Sequence, residues 1–170
     1  TGTNDAPVLT VDTSGAVTED ASNPDLTDSG TLSFTDVDTT DTHTTSALYN
    51  NDAVWTGGSL TPAQITAITT GFNVDNNSWD YTVPNSALQF LAAGETITLS
   101  FNVTVTDDSG AGNNSDTEVV TLTITGTNDA PVLTVDTSGA VTEDASNPDL
   151  TDSGTLSFTD VDTTDTHTTS

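Results

Sequence analysis

Lysine and arginine are absent from this 170-residue chain, which carries 26 aspartates and glutamates, two histidines and a formal net charge of −26. With no cationic side chain to contact phosphate, the composition argues strongly against nucleic acid or anionic membrane partners. The same absence leaves the carboxylates without a protein counter-charge other than His43 and His167. At an effective dielectric of ~20, two carboxylates ~5 Å apart repel by roughly 3 kcal/mol, so clustering them on folding demands bound cations. Cysteine is also missing, which removes both a disulfide framework and a thiol site; stability in an oxidising space must come from core and metal. No apolar run approaches the length of a membrane span, so direct membrane insertion is not expected, and no signal peptide opens the chain. There is no glycine-rich phosphate loop with its lysine, no zinc-type Cys/His cluster and no basic group to steady an oxyanion. The expectation is a non-enzyme with no small-molecule substrate. His43, among Asp41, Thr42 and Thr44, reads as a solvent-exposed or metal-adjacent histidine rather than a triad member.

What the chain does have is repetition. Thr125–Ser170 restates Thr1–Ser46 letter for letter, at an offset of 124 residues. Identity of this quality marks a tandem array whose copies are young or held alike. A period of that length is the usual size of one domain, whereas a 46-residue remnant is too small to bury a core of its own. The expected organisation is a complete module at 1–124, with linker 1–6, followed at 125–170 by a linker and the N-terminal part of the next identical repeat. Either identical copy could complete a fold with Ala47–Ile124; proximity in sequence favours the first, and a monomer is expected. The second is then disordered, docked at the junction, or swapped into a neighbouring molecule.

Strand patterning dominates the period. In Thr96–Thr106, Ile97, Leu99, Phe101, Val103 and Val105 alternate with hydroxyl and amide residues, the period-two signature of a half-buried antiparallel strand. Glu118–Thr125 repeats it, and the Gly-, Asn- and Ser-rich stretch 107–116 joins the two as a hairpin. Shorter runs at Pro7–Val11, Ala16–Thr18, Gly30–Thr35, Thr42–Tyr49, Ala53–Thr56, Phe72–Asp75 and Ser78–Val83 are separated by turn clusters such as Ser22-Asn23-Pro24-Asp25. The spacing predicts an all-β fold, an antiparallel β-sandwich of about seven strands. Pro62–Thr70 and Asn85–Ala93 are predicted to be short helical turns that plug its ends or edges, the second capped by Asn85 or Ser86. Trp55, Trp79, Tyr81, Phe34 and Phe72 are assigned to the core, because large apolar residues are scarce.

Asp36, Asp38 and Asp41 follow one strand at a spacing that aims carboxylates at a common point, and hard oxygen ligands suit calcium. The module boundary reads Thr125-Gly-Thr-Asn-Asp-Ala-Pro-Val-Leu, as does Thr1–Leu9. Val103 through Asp107, Asp108 and Gly110, then Thr117–Ile124, then Asn128-Asp129-Ala130-Pro131 resemble the end of a cadherin repeat in order of strand, hairpin, strand and linker. Gly-Thr-Asn-Asp-Ala-Pro followed by Val-Thr-Glu-Asp and Leu-Ser-Phe-Thr-Asp-Val-Asp resembles, over the whole period, the VCBS repeat of very large secreted RTX-type bacterial adhesins.

That resemblance implies an Ig-like or cadherin-like sandwich with calcium (Ca2+) held between consecutive modules. Glu19 would be the base ligand of the first module, Asn128 and Asp129 the linker ligands, and Asp160 with Asp162 the paired aspartates of the next. The half-site at the chain's start would use Asn4, Asp5, Asp36, Asp38 and Asp107, with Asp20, Asp41, Asp108 and Asp165 as further candidates. Where the cadherin linker carries an acid two positions before Asn-Asp, this chain has Gly126, so one or two ions per junction are expected rather than three. The implied role is an extracellular, cell-surface extender repeat whose partners are neighbouring identical repeats and whose array projects a binding tip. The alternative is that the module is itself adhesive, binding a glycan or a protein; a third reading is a passive linker in a large secreted enzyme.

Overall fold

The computed structural model describes residues 2–20, 24–143 and 149–170; Ser22 and Asn23 of the expected turn cluster lie outside them. The expected all-β fold is present, as two packed sheets. One contains β1 (Val8–Val11), β3 (Asp25–Thr35), β7 (Ser78–Pro84) and β6 (Phe72–Val74), in the order β1-β3-β7-β6. The other contains β2 (Ser14–Thr18), β9 (Ser115–Thr125), β8 (Thr96–Asp107) and β4 (His43–Tyr49), in the order β2-β9-β8-β4, with β5 (Val54–Trp55) also on β8. β8 and β9 form the expected hairpin, pairing from Thr96↔Thr125 to Thr106↔Ser115. All neighbours are antiparallel except β2 and β9, which run parallel from Ser14↔Thr121 to Thr18↔Thr125.

Among the described residues nine strands build the first module, against about seven expected. β3 begins well before the expected Gly30 because Asp25–Thr31 pairs with Ser78–Pro84, a pairing that hydrophobic alternation in Asp-Leu-Thr-Asp-Ser-Gly does not announce. The core joins Leu9, Val17 and Leu32 to Trp79, Tyr81, Val83, Ile97, Leu99, Val103, Val105, Leu122 and Ile124. Phe72 stacks on Phe101 with centroids 4.2 Å apart and on Trp79 at 5.7 Å. The buried polar tips are satisfied as burial requires: Trp79 Nε1 donates to Asp12 O at 2.7 Å and Tyr81 OH to Ile68 O at 2.8 Å. Phe34 and Trp55, also assigned to the core, pack on its margin partly buried.

Both helical segments form where expected. Helix α1 (Pro62–Thr69) starts with a capping box in which Gln64 N donates to Thr61 Oγ1 and Thr61 N to Gln64 Oε1. A Thr61→Ala variant is expected to lose about 1 kcal/mol of stability in urea unfolding. The second segment is a single 3-10 turn at Asn85–Ala87; its cap is Pro84, with no side-chain hydrogen bond, instead of the expected Asn85 or Ser86. Asn85 is buried and spends its amide on the β2 exit, accepting from Asp20 N and donating to Asp20 O. Ile68, Leu88 and Leu91, from these segments, are wholly buried in the core, so they are pieces of it and not only plugs.

In the second copy β10 (Val132–Val135) and β11 (Leu156–Thr159) reproduce the β1–β3 register, with Leu133↔Phe158 matching Leu9↔Phe34. The counterparts of β2 and of the first half of β3 are not strands here, because each needs β9 or β7 as a partner.

Candidate metal centres at the two ends of the module

Acidic residues gather at both ends of β8 and β9; among the described residues only the top group, Asp36, Asp41 and Asp107, brings three carboxylate oxygens within 4.8 Å of one another. At the base, Thr125 pairs with Thr96 and Thr18, and the chain turns into the linker there. Glu19, the residue after β2, is fully buried. Its Oε2 accepts Thr127 N at 3.0 Å and Thr127 Oγ1 at 2.9 Å, and its Oε1 accepts the Gln89 amide. These bonds fix the linker so that Asp129 enters the same space, where Asp129 N donates to Asp162 Oδ2 at 2.8 Å. Asp162 N in turn donates to Asp160 Oδ1 at 3.0 Å, and Asp165 N to Asp162 O at 3.2 Å, so the loop after β11 folds over its own aspartates.

Asp162 is 2 % exposed, and two of the carboxylate oxygens here, Asp129 Oδ2 and Asp162 Oδ1, are buried with no hydrogen-bond partner among the described residues. Unsatisfied buried carboxylate oxygens are costly and uncommon, and they suit a site that binds a cation. Burial first, and then the neighbouring Glu19 and Asp160 charges, hold the Asp129 carboxyl above the ordinary aspartate value. Burial also raises Asp162, against the lowering effect of the Asp129 N–H. Asp160 goes the other way: His167 Nε2, 2.6 Å from its Oδ2, lowers it most. In calcium-free protein, carboxyl NMR titrations are therefore expected to place Asp129 and Asp162 above 3.8 and Asp160 below it. A common midpoint for all three would contradict the geometry.

The top centre uses the same sequence in different company. Asp36, Asp41 and Asp107 each offer a carboxylate oxygen within 4.8 Å of the others. Asp107 ends β8, so the hairpin loop delivers it; Asn4 Nδ2 reaches it at 3.2 Å and also reaches Asn113 O. His43 Nε2 lies 2.8 Å from Asp36 Oδ2 and its ring sits 4.8 Å from that of Phe34. With its side chain 12% exposed and set against Asp36, His43 is not the solvent-exposed histidine that was one of the two expectations.

Position by position, the two copies differ in what surrounds them. Asp5 is exposed whereas Asp129 is half-buried, because only the latter has a module base above it. Asp38 Oδ2 accepts Asp5 N at 2.8 Å as Asp162 accepts Asp129 N, yet only Asp162 is sealed from solvent. Asp165 is exposed and Asn128 bonds only locally, to Asp129 O, because no hairpin loop faces them as Asp107 and Asn113 face Asp41 and Asn4. Asp108 is used up by Thr42, accepting its N–H at 3.0 Å and its hydroxyl at 2.9 Å. The backbone of Asp20 is bonded to Asn85, and its carboxylate lies at the surface.

Thr127 and Gln89, which orient Glu19, were not legible as site residues, since nothing in their spacing marks them. Glu95 is a third such residue: it accepts Trp55 Nε1 at 3.0 Å and Ala92 N at 3.1 Å, and takes Thr164 Oγ1 of the second copy at 2.7 Å. Gly126 also acquires a reason. A Cβ there would stand 2.6 Å from Ala92 O and from Leu91 Cβ, so the position that carries an acid in cadherin linkers is here pressed against backbone.

Among known proteins, no family model and no curated sequence matches this chain. A solved structure to which it is similar is that of AggA, the major subunit of the aggregative adherence fimbriae type I of Escherichia coli. The two are 16% identical with a TM-score of 0.43, over 74% of this chain and 97% of that one. A likeness this loose assigns neither ligand nor function.

Proposed function

We propose that the chain is a section of a tandem array that calcium stiffens, a spacer repeat of a large bacterial surface adhesin. The observation that carries the reading is the pair of orphaned, buried oxygens on Asp129 and Asp162, at the joint between repeats, in a chain without lysine or arginine. Glu19, Asp129, Asp160 and Asp162 would hold the ion at the joint, with Asn128 beside them. Asp36, Asp41 and Asp107 would hold one at the top. Bound calcium supplies the positive charge that these oxygens lack. The protein's own part is to fix the ligands: Gln89 and Thr127 orient Glu19, and the Asp129 N–H pins Asp162.

The mechanical consequence follows from where the ligands come from. Glu19 belongs to one repeat, Asp129 to the linker, and Asp160 and Asp162 to the next repeat, so neutralising them together ties the three pieces into one rigid joint. Each module adds a length set by its longest strand, the twelve residues of β8, or roughly 40 Å. Small-angle scattering of this chain tests the idea. Calcium is expected to compact the 125–170 segment against the base and shorten the maximum dimension, and chelator to release it. Superimposable profiles in calcium and chelator would remove the proposal's basis.

A further inference from the structure

The base of the module offers the next repeat a second seat, apart from the buried carboxylates. At the end of β9, Thr125 lies between Thr18 of β2 and Thr96 of β8, and the residues just beyond those two neighbours are Glu19 and Glu95. The two glutamates therefore flank the linker. With neighbouring strands ~4.8 Å apart, their positions stand roughly 10 Å from each other. The linker is tied to both, Thr127 N to Glu19 Oε2 at 3.0 Å and Gly126 N to Glu95 O at 2.9 Å.

The Glu95 side is shaped in advance. Trp55 Nε1 and Ala92 N both donate to its Oε2, at 3.0 and 3.1 Å, which fixes the carboxylate and leaves Oε1 for a further donor. Trp55 in turn packs edge-on against Phe90, with ring centroids 4.9 Å apart. Gly57 keeps the space around Oε1 clear, since a Cβ there would stand 2.3 Å from that oxygen. Into this seat comes the turn Asp162-Thr163-Thr164-Asp165. Thr164 Oγ1 donates to Glu95 Oε1 at 2.7 Å, and Thr163 donates to Phe90 O from Oγ1 at 3.2 Å and from N at 3.4 Å. The turn is preformed as well: Asp165 N bonds Asp162 O at 3.2 Å, and its twin Asp41 N bonds Asp38 O at 3.1 Å in the first copy, away from this seat. Two preformed surfaces meet at little cost in conformational entropy.

We propose that Glu95 and Phe90 form a clasp, separate from the metal ligands, that recognises the Thr163-Thr164 turn of the following repeat and fixes the angle at which that repeat leaves the joint. A cation held at one point leaves the next repeat free to rock about it. A second contact on the other side of the linker removes that freedom. The clasp rests on the calcium reading for the first of these two points. It calls for a hydroxyl rather than a charge, because a carboxylate in place of Thr164 would meet Glu95 with like sign. The partner that fits is thus a second copy of this repeat, or one that keeps the hydroxyl.

A chain carrying Thr163→Val and Thr164→Val keeps the shape of both side chains and loses both hydroxyls. Both residues are exposed, so the fold of the body is not at stake. NMR in calcium reads the outcome. The two tryptophans give two indole N–H signals: Trp55 reports the seat, and Trp79, bonded to Asp12 O in the core, is the internal reference. The substitutions are expected to shift the Trp55 signal and leave that of Trp79 in place. The β10–β11 amides are expected to lose the tumbling time they share with β8 and β9. A hydrogen bond to a charged group moves an equilibrium by roughly tenfold or more, and the clasped fraction should fall accordingly. Serine at both positions should restore the signals of the unsubstituted chain. Unchanged β10–β11 tumbling in the valine chain would overturn the clasp, whether or not the Trp55 signal moves. Calorimetric titration of the unsubstituted chain tests calcium by itself: no uptake would sink the calcium reading, and the same valine comparison without the ion would still decide the clasp.

Discussion

Replacing Asp162 with asparagine is expected to stabilise the protein in chelator and destabilise it in calcium. Without a cation, Asp162 and Asp129 are buried carboxylates held above 3.8, so their ionised forms work against folding. The sign follows from proton linkage. A carboxyl whose folded value is raised binds protons more readily folded than unfolded, so stability falls as pH rises through the window just above 3.8. The substituted amide would carry no charge in that window and would still accept the Asp129 N–H. With calcium the balance reverses, because the charge is then what binds the ion. Extracellular modules bind calcium at roughly 0.1–1 mM, so a few millimolar adds about 2 kcal/mol per site. For a module of this size that is roughly 5–10 °C in melting temperature. Scanning calorimetry of the unsubstituted chain and of Asp162→Asn, with calcium and with chelator, should give melting curves that cross over. An unsubstituted chain whose melting is indifferent to both would sink the metal assignment.

The sandwich was legible because its information is local and periodic. The alternation in Thr96–Thr106 and Glu118–Thr125 became the β8–β9 hairpin with the registers that alternation implies. The first half of β3 was not, since Asp25–Gly30 has little apolar pattern and is a strand only because β7 lies beside it. The centres divide the same way. Asp36 and Asp41 could be named from their run, and Glu19, Asp129, Asp160 and Asp162 from the resemblance to known repeats. What orients them could not, because Gln89 and Thr127 meet Glu19 across about 70 and 108 residues of chain. The folded chain also separates two roles that sequence leaves merged: Asp41 joins Asp36 and Asp107 in the top cluster, while Asp108 serves as the loop's tie to Thr42.

The letter-for-letter copy makes the protein its own control for which segment completes the core. Leu32 is 4% exposed and Leu156, its twin, 50% exposed. At low protein concentration Leu32→Ala is expected to lose about 2–5 kcal/mol in denaturant unfolding, through lost transfer free energy and the cavity left behind. Leu156→Ala is expected to stay within about 0.5 kcal/mol of the unsubstituted chain. Gly30 and Gly154 give an independent pair. A Cβ at Gly30 would lie 2.3 Å from Trp79 Nε1, while at Gly154 the nearest atom is Asp136 Cβ at 3.2 Å. Trp79 is fully buried and its indole is fixed by the bond to Asp12 O, so it has nowhere to retreat. Gly30→Ala should therefore cost about 1–3 kcal/mol by overpacking, and Gly154→Ala little. If the two members of each pair proved equally costly, the body would be sharing its time between copies. The asymmetry comes from position in the chain alone, since no letter distinguishes the segments.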